Sequence, residues 1–186
     1  MPVTGADIVT VFHGYLGTPY VTGGGSPKGW DCSGAVNYVL GARLGLTLPG
    51  GIKGFSGKSH GPVVFQYAAW SAGSVKVKRP APGDLVIWNG IGNSGHIGVV
   101  IGPNRMISAL NHAEGTVETA IAGFGPAGRN PSSYRRLKSA EAAAGGLTWN
   151  ATTTAAQTGG LAQGCLLYLA ALVMVLLAIL AALAGP

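Results

Sequence analysis

The chain has 186 residues, with 12 Lys and Arg against 6 Asp and Glu, a formal charge of +6. Hydrophobic residues make up 47% and charged residues 10%, and mean hydropathy is +0.36, which excludes a wholly disordered chain. The 32 Gly follow no three-residue period, so collagen is excluded. The two cysteines, Cys32 and Cys165, are too few for a disulfide scaffold or a Cys-built metal cluster.

The first helix starts at Thr4 or Asp7, either able to cap it, and Ile8, Val9, Val11, Phe12, Tyr15 and Leu16 supply its apolar face up to Gly17. A Gly- and Pro-rich loop over 18–30 follows. Asp31 or Ser33 then caps a second helix carrying Ala35, Val36, Tyr38, Val39 and Leu40, ending near Gly45. Residues 46–81 are loop-rich, with a short apolar piece at 63–70. From Gly83 the pattern turns to β-rich runs at 84–88, 96–101 and 106–110, with further strands expected at 116–121 and 133–137. Helices first and strands afterwards predict an α+β domain over residues 1–138 with an antiparallel sheet.

Residues 139–163 are rich in Ala, Thr and Gly and predict a linker. Residues 164–184 carry no charge, enough for a helix of about 30 Å, the thickness of a bilayer core. That segment predicts either a membrane-inserting helix or, from the 3-4 spacing of Leu166, Leu169, Val173, Leu176, Leu180 and Leu183, a homo-oligomeric helix bundle. The N-terminus has no basic region followed by an apolar block, so no signal peptide is expected.

Cys32 falls where the Gly-rich loop turns into the second helix. A thiol there meets unpaired backbone N–H groups and the positive end of the helix dipole, which favour a thiolate nucleophile and offer an oxyanion site. Its base must be a His brought from elsewhere. His13 lies within the first helix, His60 in a loop as a substrate-facing or solvated residue, and His112 past a strand. His96 opens a strand just after the turn Gly92-Asn93-Ser94-Gly95, and is the candidate base. The histidines are scattered without metal-ligand spacing, and the Gly23–Lys28 stretch lacks the Lys-Ser/Thr step of a phosphate loop. Neither a metal nor another cofactor is expected. The basic runs Lys76-Val77-Lys78-Arg79 and Arg135-Arg136-Leu137-Lys138 predict solvated surface; no motif supports nucleic-acid binding, leaving an anionic wall polymer or membrane as the basic chain's partner.

Gly17-Thr18-Pro19-Tyr20, Gly23-Gly24 and Asp31-Cys32-Ser33-Gly34, followed by Pro82-Gly83-Asp84-Leu85-Val86 and Gly95-His96-Ile97-Gly98-Val99, resemble the two motifs of the NlpC-type cell-wall endopeptidases. The resemblance covers about residues 5–134. It implies a papain-like α+β fold and hydrolysis of peptide bonds in bacterial peptidoglycan stems, usually between D-γ-glutamate and a diamino acid. Cys32 would be the nucleophile and His96 the base. Tyr20 would line the site near the oxyanion, Asp31 and Ser33 would hydrogen-bond substrate, and Trp30 would supply an aromatic wall or simply pack.

The family's third catalytic group falls about twelve positions after the His, which lands on Ser108. Asn111 needs a bend to reach; His112 shares the strand parity of Ser108 and is the preferred candidate. A wall enzyme without a signal suggests carriage by a phage tail, or else a place in the cell envelope. The rival reading is a structural or wall-binding module, and an amidase or acyltransferase would use the same layout.

Overall fold

The computed structural model describes residues 2–90, 95–124 and 128–141, the last two by their backbone. The expected linker, beyond its first residues, and the apolar segment 164–184 lie outside the described residues. Among those described, no helix is long and apolar enough to cross a membrane.

Helix α1, Gly5–His13, begins at Thr4, whose hydroxyl accepts from the Asp7 N–H while the Asp7 carboxylate accepts from the Thr4 N–H. Both candidate caps are therefore used, as the two halves of one capping box. A two-residue hairpin follows, β1 Gly25–Ser26 against β2 Gly29–Trp30. Helix α2, Cys32–Asn37, starts at Asp31, whose Oδ1 accepts from Gly34 N at 2.9 Å. It runs on into a π-helical turn over Tyr38–Arg43. Helix α3 spans Val64–Ala69, within the apolar piece seen in the sequence.

The strands are β3 Ser74–Val77, β4 Leu85–Trp88, β5 His96–Gly102, β6 Arg105–Asn111, β7 Gly115–Ala120 and β8 Ser133–Leu137. They form one antiparallel sheet in the order β3-β8-β4-β5-β6-β7, and the short helix α4, Lys138–Glu141, follows directly. The domain is α+β, as its sequence predicts. Strand β3 and the small hairpin are additions, being too short and polar to register as apolar runs.

Alternation along the central strands sends side chains to opposite faces. Leu85, Ile87, Ile97, Val99, Ile107 and Ala109 join a core with Ile8 and Phe12 of α1 and Ala35 and Val36 of α2. Val86, Trp88, Val100 and Met106 form a second cluster with Ile121, closed by Phe124 and Tyr134. Burying both faces explains why β4 is apolar at all four positions. At the outer strand β7, Thr116 exchanges backbone hydrogen bonds with the loop after α1, from Gly17 N to Thr116 O and from Thr116 N to Thr18 O.

In the basic run at the end of the sheet Lys138 is exposed as expected, but the two arginines are not simply solvated surface. Arg135 is buried, and its guanidinium donates to the carbonyls of Ala68 and Trp70 and to the Ser74 hydroxyl. Arg136 forks onto Asp84, with Nε to Oδ1 at 2.9 Å and Nη2 to Oδ2 at 2.8 Å.

Candidate active site

Close packing of a loop on a helix puts Cys32 in place. A Cβ at Gly34 would run into the Gly24 carbonyl oxygen, so only glycine lets the 23–25 segment lie across the first turn of α2. Trp30 precedes that turn and is wholly buried. Its ring packs against Tyr15 and Tyr38, and its Nε1 donates to Thr116 Oγ1 at 2.8 Å. It has no exposed surface for a substrate, so packing is the reading that applies to it.

Cys32 is 6% exposed. The backbone N–H groups of Cys32, Ser33 and Ile97 reach its thiol and favour the thiolate, but burial outweighs them. With the Asp31 charge acting in the same sense, burial pushes the Cys32 thiol up to about 11. The helix start therefore does not by itself produce a thiolate. Ile97 follows His96 on β5, so the thiol sits at the beginning of the strand that carries the candidate base.

His96 is also buried, and desolvation pulls its imidazole down to about 4, against a smaller opposing pull from the Asp31 charge. Its ring packs against Phe124 in a tilted arrangement, 4.5 Å between centroids, and Phe124 in turn lies 4.6 Å from Trp88. Ser108 Oγ is 2.6 Å from His96 Nε2 and 3.0 Å from the Ile97 carbonyl oxygen. With the Ser108 hydroxyl donating to Ile97 O, its lone pair accepts the Nε2–H. That assignment leaves the lone pair of the ring on Nδ1.

Gly98 makes the contact possible. A Cβ there would lie 3.0 Å from Met106 Sδ and 3.3 Å from Ser108 Cβ, so its absence lets the serine reach across β5. The preferred third residue, His112, is elsewhere: its Nε2 is 3.2 Å from Thr22 Oγ1, and its ring is edge-on to Tyr20 at 4.9 Å. Strand β6 ends at Asn111, whose Oδ1 accepts from the N–H groups of Ala113 and Glu114. That turn breaks the parity on which His112 depended, and uses the Asn111 side chain as well.

Tyr20 lies near Cys32 and Asp31: burial first, then Cys32 once ionised and the Asp31 carboxylate, raise its hydroxyl to about 12. It is a neutral donor at any ordinary pH. The Asp31 carboxylate is surrounded by the protein's own donors. Gly23 N, Gly34 N and the Ser33 hydroxyl reach it at 3.0, 2.9 and 3.1 Å, and His60 Nε2 lies 2.8 and 2.9 Å from its two oxygens. His60, left open in the sequence, is a part of the site that spacing alone does not reveal. An apolar groove of about 600 Å³ beside Leu46, Trp70 and Leu137 contains none of these residues.

Residues 17–123 match the NlpC/P60 family model. The chain belongs to the NlpC/P60 family. This NlpC/P60 domain is 30% identical over 125 residues to "Protein P54" of Enterococcus faecium, a match over 67% of this chain and 22% of that protein. It is 33% identical over 107 residues to the "Gamma-DL-glutamyl hydrolase" of Bacillus subtilis, over 55% and 22% of the two chains. The chain thus spans about a fifth of these curated relatives. Among solved structures it resembles the NlpC/p60 domain of the peptidoglycan hydrolase SagA, at 30% identity and a TM-score of 0.52, over 72% of this chain and 99% of that one.

Proposed function

We propose that this domain is a cysteine endopeptidase that hydrolyses peptide bonds in peptidoglycan stem peptides. The observation that carries the reading is Ser108 holding His96 Nε2, which turns Nδ1 into the basic nitrogen. In the resting site the pair is thiol and neutral imidazole. Proton transfer from Cys32 to His96 Nδ1 therefore accompanies attack on the substrate carbonyl rather than preceding it. The N–H groups of Cys32 and Ser33, already at the thiol, receive the developing oxyanion, with the Tyr20 hydroxyl as a further donor. The imidazolium then returns its proton to the leaving amine, and water releases the acyl group from Cys32.

The bond we assign is that between D-γ-glutamate and a diamino acid. The name of the Bacillus relative, a γ-DL-glutamyl hydrolase, supports this choice. The cell envelope is the location that fits such a substrate. Carriage by a phage tail has no feature among the described residues behind it. Residues 139–163 and 164–184 would tether the domain to a membrane or to a bundle of its own copies.

The test is incubation of the full chain and of Cys32→Ala with diaminopimelate-type peptidoglycan, followed by mass spectrometry of new termini. New amino groups on the diamino acid, absent with the variant, are expected. The neutral resting pair favours one other reading, a wall-binding module with the site kept but idle. Equal wall binding by both proteins and no new termini from either would select it.

A further inference from the structure

We propose that His60 is a positioning residue for Cys32, an imidazolium whose charge cancels that of Asp31 beside the thiol and whose ring ties the 59–62 loop to the cap of α2. The inference rests on Cys32 being the nucleophile, as argued above. Its basis is the pattern of acceptors around one ring. His60 Nε2 faces both oxygens of Asp31, and His60 Nδ1 faces the Gly61 carbonyl oxygen at 3.1 Å. Neither neighbour can donate, so both ring nitrogens must carry protons, and the ring is a cation. The Ser33 hydroxyl, 3.4 Å from Nε2, is directed to Asp31 and does not alter the count.

The loop is held from below by the same helix that carries the nucleophile. Asn37, wholly buried at the end of α2, donates to the carbonyls of His60 and Pro62 at 2.7 and 2.8 Å and accepts from the Tyr67 hydroxyl. Ring and backbone of His60 are therefore both anchored to α2, one at each end. The cap of α2 presents Asp31 and Ser33 to the ring, and Gly25 of β1 packs closely on the backbone of Ser59 and His60. Tyr20 and Cys32 carry no charge at neutral pH. Asp31 is the charged group that acts on the ring.

The electrostatic consequence concerns the neighbouring thiol. A bare Asp31 charge opposes formation of the Cys32 thiolate, while an Asp31–His60 ion pair has no net charge. As long as the ring is protonated, the helix cap keeps its carboxylate without imposing a negative charge on the nucleophile. The family-based expectation that Asp31 binds substrate also changes: both oxygens are occupied, and an incoming cationic amine has to displace the ring.

The experiment follows iodoacetamide alkylation of Cys32 in the full chain from acidic to alkaline pH, resolved from Cys165 by peptide mass spectrometry. His60→Gln keeps a donor to Asp31 and loses the charge; His60→Lys keeps a charge at all but the highest pH. Wild type should alkylate about tenfold faster than His60→Gln while the ring is charged, the equivalent of one pKa unit. The ratio should fall to about one after the ring deprotonates, and His60→Lys should overtake wild type there. A His60→Gln rate equal to or above wild type while the ring is charged, a ratio unchanged with pH, or a Lys variant that gains nothing on wild type as pH rises overturns the proposal. Alkylation reads the thiolate without wall cleavage, so failure of the nucleophile reading appears separately, in the Cys32→Ala hydrolysis assay.

Discussion

Ser108 Oγ lies 2.6 Å from His96 Nε2 and uses its own proton on the Ile97 carbonyl. The serine is thus a relay: a backbone carbonyl fixes the hydroxyl, and the hydroxyl fixes the ring. Ser108→Ala leaves Nε2–H buried without a partner, which costs about 1–3 kcal/mol and lowers kcat about 10- to 100-fold. KM should change little, because the serine faces the ring and not the substrate. Steady-state hydrolysis of a stem peptide checks both parameters; a KM rise with unchanged kcat would contradict the relay.

Phe124 shields His96 from water by packing against its ring. Because the folded imidazole is held near 4 and an ordinary histidine titrates near 6.5, the unfolded chain takes up the proton first as pH falls. Stability is therefore lost between about pH 6.5 and 4. Phe124→Ala admits water, raises the imidazole and should flatten that part of the Tm-versus-pH curve. Thermal unfolding of both proteins over this range measures it, with parallel curves as the contrary result.

The Asp31–His60 pair has the opposite dependence at each end. Burial works to raise the Asp31 carboxyl, but hydrogen bonds from His60, Gly34 and Gly23 and the His60 charge hold it below its ordinary value. The hydrogen bond and charge of Asp31 hold His60 above its own, against a smaller effect of burial. The Asp31 contribution is complete above about pH 3.8 and disappears as pH falls through the depressed carboxyl value. The His60 contribution is complete below about pH 6.5 and disappears as pH rises through the elevated imidazole value. Removing the carboxylate by Asp31→Ala also removes the cap of α2, for a loss of about 1–2 kcal/mol in denaturant unfolding near pH 6.

Arg136 neutralises Asp84, whose side chain is 3% exposed. Arg136→Ala strands a buried carboxylate and should cost about 3 kcal/mol. The double change Arg136→Met with Asp84→Asn should recover much of it, because both charges leave together. Urea midpoints of the two variants decide this, and equal midpoints would count against an ion pair that matters.

The order of elements was legible because caps and β-rich runs are local signals: Thr4, Asp31 and the four apolar residues of β4 announce themselves within a few positions. The proposed nucleophile and base, Cys32 and His96, stand out in the sequence for a similar reason, each sitting at the start of its own element. The partner of His96 was not. Ser108 and His112 satisfy strand parity equally well, and what separates them is the Asn111 turn together with the missing side chain at Gly98. Those are properties of paired strands. His60 was hidden because its partner lies 29 positions earlier in the chain, and Arg135 because its acceptors are backbone carbonyls and a hydroxyl that no motif encodes.

The pairing of Gly17 and Thr18 with Thr116 bears on how copies of this domain meet one another. An outermost strand with free amides invites a neighbour's strand to extend the sheet. On β7 the outward groups of Thr116 are already satisfied from within the chain, so strand addition is blocked at the start of that strand. The opposite margin, β3, is four residues long and carries Lys76, with Lys78 and Arg79 directly after it. Like charges brought face to face would repel a second β3, so the basic run opposes pairing of two copies along this strand.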